Sequence, residues 1–262
     1  MLPAISVFGH TVALYGLMIL LGGIAGVLVA IYLGYKLSIK REDIIFSYLY
    51  GAIGLIVGAK ILYLLIEMPW IIDNMDLLIQ NPEYILSLFT GGFVFYGGLI
   101  GGLIMMHYYC RKYHVPMKDM LSVIIPAVPL VHAFGRLGCF FAGCCYGIHY
   151  EGPFSITFTR SGYAPNDVPL FPVQLMESAV NLLIFLILFF TARKKKQPGK
   201  ILSLYLLMYS VMRFFMEFLR GDAVRGIFFG LSISQWVSIL LFISGILLIT
   251  RKPKKIVETS NI

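Results

Sequence analysis

The sequence predicts an all-α polytopic membrane protein with seven transmembrane helices, and three observations carry that prediction. Of the 262 residues, 59% are hydrophobic and only 13% are charged, whereas about a quarter of the residues in a soluble globular domain are charged. The mean hydropathy is +0.85. Apolar runs close to the ~20 residues that cross a bilayer also recur along the chain. The composition excludes a soluble domain and a disordered chain, and residues 1–262 are expected to form a single integral membrane domain.

Seven apolar segments are the predicted spans, and each is near the length needed to cross the bilayer. They are Val12–Tyr35, Ile44–Glu67, Phe93–Cys110, Met120–Gly135, Gln174–Ala192, Ile201–Leu219 and Leu231–Thr250. The fourth is the shortest, and Pro126 and Pro129 are expected to bend it. The stretch Pro69–Pro82 is predicted to be an interfacial loop or a helix lying on the membrane. A polar excursion over residues 139–172 separates the fourth and fifth spans.

The basic residues predict the orientation. Most of them follow the first, third, fifth and seventh predicted spans, and seven spans would place these four segments on the same side of the membrane. In that order they are Lys36, Lys40, Arg41; Arg111, Lys112, Lys118; Arg193, Lys194, Lys195, Lys196, Lys200; and Arg251, Lys252, Lys254, Lys255. Because cytoplasmic loops carry the excess of Lys and Arg, the N-terminus is expected outside and the C-terminus in the cytoplasm. The net charge of +8 is then a topology signal, and no nucleic-acid partner is expected.

Six basic residues have no part in this pattern: Lys60, Arg136, Arg160, Arg213, Arg220 and Arg225. Four of them lie within the predicted spans or at their ends. A cation inside a membrane helix is costly, and it commonly marks a ligand site or pathway. A guanidinium group in such a place favours phosphate, which it can bind with two parallel hydrogen bonds.

The sixth span is the clearest case, because Arg213, Glu217 and Arg220 are spaced to share one helical face. One interpretation is a structural ion pair in which Glu217 bridges two arginines. The other is a positively biased phosphate pocket adjusted by one carboxylate. Gln174 and Glu177 open the fifth span toward the same side, as does the glycine-rich start of the third. The convergence of these residues predicts a site for a lipid headgroup in the outer leaflet.

Three cysteines follow the fourth span, namely Cys139, Cys144 and Cys145. They form a poor zinc pattern because the second half of a paired-cysteine motif is missing. His132 and His149 are at no recognised ligand spacing, so no metal and no cofactor are expected. A disulfide between Cys139 and Cys144 and a reactive thiolate beside Arg136 remain open, and the three cysteines are expected to be structural. His132 lies one turn before Arg136 and is either a hydrogen-bonded core residue or a base.

Four motifs resemble those of the prolipoprotein diacylglyceryl transferases, a family of seven-span bacterial enzymes. In chain order they are Tyr96-Gly97-Gly98-Leu99-Ile100-Gly101; Gly135-Arg136-Leu137-Gly138, closed by Gly147; Pro172-Val173-Gln174-Leu175-Met176-Glu177; and the run from Arg213 through Glu217 to Arg220. The resemblance extends from Tyr15 to Gln235. It implies transfer of the diacylglyceryl group of phosphatidylglycerol to the lipobox cysteine of a lipoprotein precursor, with release of glycerol phosphate.

The resemblance also implies roles for individual residues. Arg136 and Arg213 would hold the lipid phosphate, and Glu217 and Arg220 would orient them. Tyr15, Gln174 and Glu177 would line the headgroup chamber. The expected substrate contacts further include Lys60, Gly97, Gly98 and Cys139. The expected partners are phosphatidylglycerol, other membrane lipids and the signal peptide of the precursor, and the expected location is the bacterial inner membrane.

The chain departs from the family pattern at four positions. Tyr96 replaces the usual histidine, Cys139 the usual asparagine, Cys144 the usual glutamate, and Lys60 a common arginine. Tyr96 and His132 are therefore the two candidates for the base, alongside Arg136, Arg213 and Glu217 in the catalytic set. Two alternative functions remain: a divergent transferase with another acceptor, and a lipid-binding protein without catalysis.

Overall fold

The computed structural model describes residues 4–7, 10–194, 197–222 and 226–250. Lys195, Lys196 and the basic tail from Arg251 lie outside the described residues, so the orientation argument drawn from them remains a prediction. Arg225, one of the six basic residues outside the orientation pattern, also lies outside the described residues. The chain divides into two compact units, one formed by Met1–Leu37 with Leu121–Ile262 and the other by Ser38–Met120.

The first unit opens with a short antiparallel hairpin, β1 (Ala4–Val7) and β2 (His10–Ala13), that leads directly into helix α1 (Leu14–Lys36). Its other long helices are α6 (Met117–Ala142, of which the part from residue 121 belongs here), α7 (Val173–Ala192), α8 (Pro198–Met216) and α9 (Ile233–Thr250). Two-residue strands β3 (Ile156–Thr157) and β4 (Pro169–Leu170) pair in the connection after α6. Strands β5 (Ile227–Phe228) and β6 (Leu231–Ser232) pair before α9.

Small residues and serine hydroxyls join the helices of the first unit. A Cβ atom on Gly22 of α1 would lie 2.7 Å from the Cβ of Phe134 on α6, so only glycine permits this approach. Ser178 of α7 donates a hydrogen bond to the carbonyl of Ala133 at 3.0 Å, and Ser203 of α8 donates one to Gly245 of α9 at 2.7 Å. Such close packing and interhelical hydrogen bonds are typical of membrane helices.

The second unit consists of α2 (Arg41–Asp73), α3 (Met75–Gln80), α4 (Pro82–Thr90) and α5 (Phe95–Lys112). Glycines on α2 face glycines on α5. A Cβ atom on Gly58 would overlap the backbone of Gly97, and one on Gly54 would overlap that of Gly101. Helices α4 and α5 are bent by 64° relative to one another, and Gly92 in their link has a left-handed φ of 62°.

The membrane prediction is confirmed for the fold class. Among the described residues, six helices are long and apolar enough to cross a membrane, and the number reaches seven if α4 and α5 are one bent span. Several helices extend beyond the predicted span boundaries. Helix α2 continues through Pro69 to Asp73, so Pro69 does not end this helix. The fourth predicted span is 26 residues long, because α6 accommodates both Pro126 and Pro129 and continues to Ala142.

Candidate lipid-phosphate site

Glu177 lies at the centre of a buried arginine cluster in the first unit, and its side chain is only 2% exposed. Its Oε2 atom is 2.6 Å from Nε of Arg136, and its Oε1 atom is 3.4 Å from Nη1 of Arg213 and 4.0 Å from Nη1 of Arg220. Helices α6, α7 and α8 and the segment after α8 each contribute one of these four residues. One carboxylate therefore holds three guanidinium groups together.

Two further carboxylates complete the cluster. Glu217 Oε2 lies 2.6 Å from Nη2 of Arg213. Asp222 accepts hydrogen bonds from Nε and Nη2 of Arg220 at 2.9 and 2.8 Å. Among the described residues, the cluster therefore holds three carboxylates with three arginines, rather than the single carboxylate that the sequence interpretation assumed. Burial of several cations favours such counter-charge.

Arg220 does not lie on helix α8, although the sequence had suggested that it would. Helix α8 ends at Met216, a single 3₁₀ turn covers Glu217–Leu219, and Arg220 itself has an extended backbone. Arg213, Glu217 and Arg220 are therefore not aligned on one helical face, and Glu217 is not the bridge that the ion-pair interpretation assumed. The extended backbone lets Arg220 pair with Gly147 as an isolated β-bridge, which brings it beside the segment after α6.

The electrostatic setting keeps Arg220 charged. Burial acts to lower the pKa of its guanidinium group, but the hydrogen bonds to Asp222 and the nearby negative charges outweigh burial, so the pKa of Arg220 is raised. Asp222 was missed by the sequence argument, although its position two residues after Arg220 was a usable signal. Ser234 was also missed, and it accepts a hydrogen bond from Nη2 of Arg213 at 2.9 Å.

His132 contacts the cluster through Arg136. The Nε–H group of Arg136 donates a hydrogen bond to Nε2 of His132 at 3.2 Å, one helical turn earlier on α6. The lone pair of that nitrogen is thus already engaged, which favours the core interpretation of His132 over a role as base. Its ring also packs against the ring of Tyr209, with centroids 5.6 Å apart.

Three further predicted site residues belong to the same unit, with Gln174 on α7, Cys139 on α6 and Tyr15 on α1. Gln174 is buried and donates a hydrogen bond from Nε2 to the carbonyl of Cys144 at 3.0 Å. Tyr15 is half-exposed, and a Cβ atom on Gly138 would lie 3.1 Å from its ring. Cys139 belongs to α6 rather than to the polar loop, because the helix continues three residues past it.

The remaining predicted site residues belong to the second unit. The Nζ atom of Lys60 donates hydrogen bonds to the carbonyls of Leu88, Gly91 and Gly92. It thereby caps the end of α4 and the link that follows. These contacts account for a cation within a span without any ligand. A lipid-binding role for Lys60 stays a prediction.

The glycine-rich start of α5 is explained by helix packing. A Cβ atom on Gly97 would overlap the backbone of Gly58, and one on Gly98 would lie 3.0 Å from the carbonyl of Leu55. Both glycines therefore face α2, and their contact with substrate stays a prediction. Tyr96, the other candidate base, is 45% exposed and packs edge-on against Phe95.

The structure brings Arg136, Arg213, Arg220, Glu177 and Glu217 into one cluster, as a phosphate site at the end of several membrane helices requires. A model of the prolipoprotein diacylglyceryl transferase family matches residues 3–251, nearly the whole chain. The chain belongs to this family. The match includes both compact units and every long helix, so membership covers the fold as well as the arginine cluster.

Individual relatives of this family member agree with the assignment. A phosphatidylglycerol–prolipoprotein diacylglyceryl transferase of Clostridium tetani is 41% identical over 92% of this chain and 93% of its own length. The second enzyme of that name in Clostridium perfringens is 36% identical over 93% and 92% of the two chains. A Finegoldia magna enzyme is 35% identical over 98% of both.

Proposed function

We propose that this membrane protein transfers the diacylglyceryl group of phosphatidylglycerol to the lipobox cysteine thiol of a prolipoprotein, with release of glycerol phosphate. This is the first step of lipoprotein maturation. Family membership and the names of its relatives support the activity. The single structural observation that carries the proposal is the convergence of three arginines on buried Glu177.

Arg136 is the guanidinium group best placed to bind the lipid phosphate. Its contacts with Glu177 and His132 both use Nε, so within the part of the chain that the structure describes the two Nη groups are available for a bidentate hydrogen-bonded pair with a phosphate. Its side chain is 14% exposed, compared with 9% for Arg213 and 4% for Arg220. Arg136 thus faces the ligand, while Arg213 and Arg220 hold Glu177 and supply positive charge behind it.

The proposed chemistry is a substitution at carbon. The acceptor thiolate attacks the glycerol carbon that bears the phosphate, the carbon–oxygen bond breaks, and the electron pair leaves with glycerol phosphate. Negative charge grows on the phosphate in the transition state, and fixed guanidinium groups stabilise that charge without reorganisation. Tyr15, Gln174 and Cys139 border the chamber for the headgroup, and Glu217 orients Arg213. Gly97 and Gly98 are assigned to packing in this scheme, and Tyr96 is the remaining candidate base.

The orientation follows from the positive-inside rule. We place the N-terminus and residues 139–172 on the outer face of the bacterial inner membrane and the basic connections in the cytoplasm. The signal peptide of the precursor then meets the arginine cluster from the outer leaflet, where secreted lipoproteins are anchored. Phosphatidylglycerol enters sideways from the same leaflet.

Complementation tests this function directly. The chain should restore growth to a bacterium depleted of its own transferase, and a reporter lipoprotein should gain the mass of one diacylglyceryl group. The purified protein should make the same product from phosphatidylglycerol and a lipobox peptide, but not from a peptide with serine in place of cysteine. Stable expression without a mass gain in either assay would refute the proposal. A gain of another mass, or on another acceptor, would favour the divergent transferase.

A further inference from the structure

Three cysteine side chains lie together at the carboxyl end of α6. Cys139 is in the last turn of the helix, and Cys144 and Cys145 follow the turn at Gly143. All three are free thiols. The Cys144 thiol donates a hydrogen bond to the carbonyl of Cys139 at 3.8 Å, and the three Sγ atoms lie within 4.8 Å of one another. Binding a lipid phosphate does not require three thiols, so this thiol cluster needs a separate explanation.

The backbone is held in the conformation that forms the cluster. Gly143 and Cys145 both have left-handed φ angles, 76° and 57°, and this region is unfavourable for a residue with a Cβ atom. Such conformations persist where neighbouring contacts fix them, and they concentrate at functional sites. Here the carbonyl of Cys144 accepts a hydrogen bond from buried Gln174. A side chain on Gly143 would overlap Ser161.

The spacing of the sulfur atoms suits a metal ion that prefers thiolates. Zinc binds sulfur at about 2.3 Å in tetrahedral geometry, which places two ligand sulfurs roughly 3.8 Å apart. The three Sγ atoms all lie within 4.8 Å of one another, so rotation of the short cysteine side chains can bring them to that separation. Among the described residues, no histidine or carboxylate joins the group, so His132 and His149 do not complete it. Three protein ligands and an open fourth position are typical of catalytic rather than structural zinc sites.

Two arginines lie close to the thiol cluster. Arg136 interacts electrostatically with Cys139 and Cys145, and Arg220 interacts with Cys145. A zinc ion with three thiolates carries a net charge of −1, which is costly to bury unless cations lie nearby. The two arginines provide them. The same two arginines belong to the proposed phosphate site, so a metal held here would lie beside the bond that the reaction breaks.

We propose that Cys139, Cys144 and Cys145 bind Zn²⁺, whose open fourth position takes the thiol of the acceptor cysteine. This inference rests on the proposed function. On binding, the acceptor thiol gives up its proton to solvent and becomes a zinc-bound thiolate. That sulfur attacks the glycerol carbon, the carbon–oxygen bond breaks, and its electrons leave with glycerol phosphate. The thioether product is a neutral, weaker ligand, and it leaves the zinc.

The proposal accounts for a departure in the sequence. Metal binding deprotonates a thiol at neutral pH, so the reaction does not need a strong protein base. The replacement of the family's histidine by Tyr96, a weaker base, is then compatible with catalysis. The three cysteines would act only as metal ligands and would never carry the lipid, which avoids trapping the enzyme as a stable thioether.

Metal content is the first test. Protein purified under reducing conditions should contain about one zinc per chain, measured by mass spectrometry of the elements. Cys139→Ser, Cys144→Ser and Cys145→Ser should each lower zinc content at least tenfold. Cys110→Ser is the matched control, since Cys110 is a buried free cysteine in the second unit, and it should keep its zinc. Zinc-free folded protein that does not bind added Zn²⁺, equal zinc in all variants, or a disulfide within the cluster would overturn the proposal.

Cobalt provides a readout that does not depend on the variants folding. Wild-type protein loaded with Co²⁺ should show thiolate-to-cobalt charge-transfer absorption. Its d–d bands should shift when a peptide with one lipobox cysteine is added, but not when the peptide carries serine. An unchanged spectrum with the cysteine peptide would overturn the acceptor role.

Activity separates this inference from the function on which it rests. Removing zinc from the wild-type protein with a chelator should lower transfer at least tenfold, and added Zn²⁺ should restore it. Full transfer by the zinc-free protein would refute the metal role and leave the proposed function intact. A protein that binds zinc but transfers nothing would instead refute the proposed function, and with it the acceptor step.

Discussion

Glu177 controls the electrostatics of the candidate site because one buried carboxylate faces three guanidinium groups. Its own helix, α7, carries no other charge near this position, so the interaction links α7 to α6 and to the end of α8. Of the three arginines in the cluster, Glu217 pairs with Arg213 and Asp222 pairs with Arg220. The consequences of removing each carboxylate should therefore differ in size.

Glu177→Gln should be strongly destabilising. The change keeps the shape of the side chain but leaves three buried cations with two carboxylates, and breaking a buried ion pair costs about 3–5 kcal/mol. Thermal unfolding in detergent should occur at a clearly lower temperature. Asp222→Asn is the control, because within the cluster Asp222 contacts Arg220 rather than all three arginines, and a loss of about 1–2 kcal/mol is expected. Equal stability of the two variants would mean that Glu177 is not the common partner.

Arg136→Ala and Arg213→Ala should each abolish transfer while the protein still accumulates in the membrane. Both arginines are costly within membrane helices and neither sets topology. Arg136→Lys should recover little activity, because an ammonium group cannot form the bidentate pair with phosphate. Arg160→Ala, at an exposed position in the loop, is the control and should be fully active. Wild-type turnover in either alanine variant would remove that arginine from the phosphate site.

At the scale of elements, α2 and α5 pack through facing glycines, and this explains a motif that also resembled a ligand-binding sequence. Gly58 and Gly97 leave no space for a side chain between the two backbones. Close backbone approach of this kind increases dispersion contacts between helices in a solvent that provides no hydrophobic driving force. The link between α4 and α5 is fixed separately by Lys60.

Gly58→Ala should weaken the α2–α5 pair. The added methyl group would overlap the carbonyl of Gly97, and overpacking of this kind costs about 1–3 kcal/mol. Gly51→Ala on the same helix is a matched control, since its Cβ would lie 3.9 Å from the nearest atom, an ordinary contact. The stability of both variants is measured by thermal unfolding in detergent. A Gly51→Ala protein as unstable as Gly58→Ala would argue against the packing explanation.

At the scale of the whole molecule, the charge distribution and the count of spans depend on each other. Among the described residues, six helices qualify as spans on their own, and the bent α4–α5 pair is the seventh if it crosses the membrane as one span. With seven spans, the two ends of the chain lie on opposite sides of the membrane and the basic connections share one side. With only six spans, every connection after α5 would lie on the opposite side of the membrane.

Topology reporters test this arrangement. Fusions after Lys196 and Lys255 should report a cytoplasmic location, and a fusion near Asn166 should report an external one. The reason is the positive-inside rule applied to seven spans. An external signal from the Lys196 fusion would mean that the bent pair does not cross the membrane, and the arginine cluster would then face the cytoplasm.

The sequence by itself determined the fold class, because a long apolar run is forced to be helical wherever a membrane provides no hydrogen-bond partners for the backbone. It also identified the unusual cations, since Arg136, Arg213 and Arg220 are conspicuous among apolar neighbours. Helix ends were less predictable. Proline is tolerated within α2 and α6, and nothing local indicates that α8 ends before Arg220.

Only the tertiary structure decided which charges pair. Glu177 and Arg213 are 36 residues apart, and their contact depends on how α7 and α8 pack, which no spacing rule encodes. The same holds for Gly97, whose partner lies on another helix, and for Cys145, whose left-handed backbone returns its thiol to Cys139. The periodicity of the sequence predicts which residues share one face of a helix. Which residues they contact on a neighbouring helix is determined by three-dimensional packing.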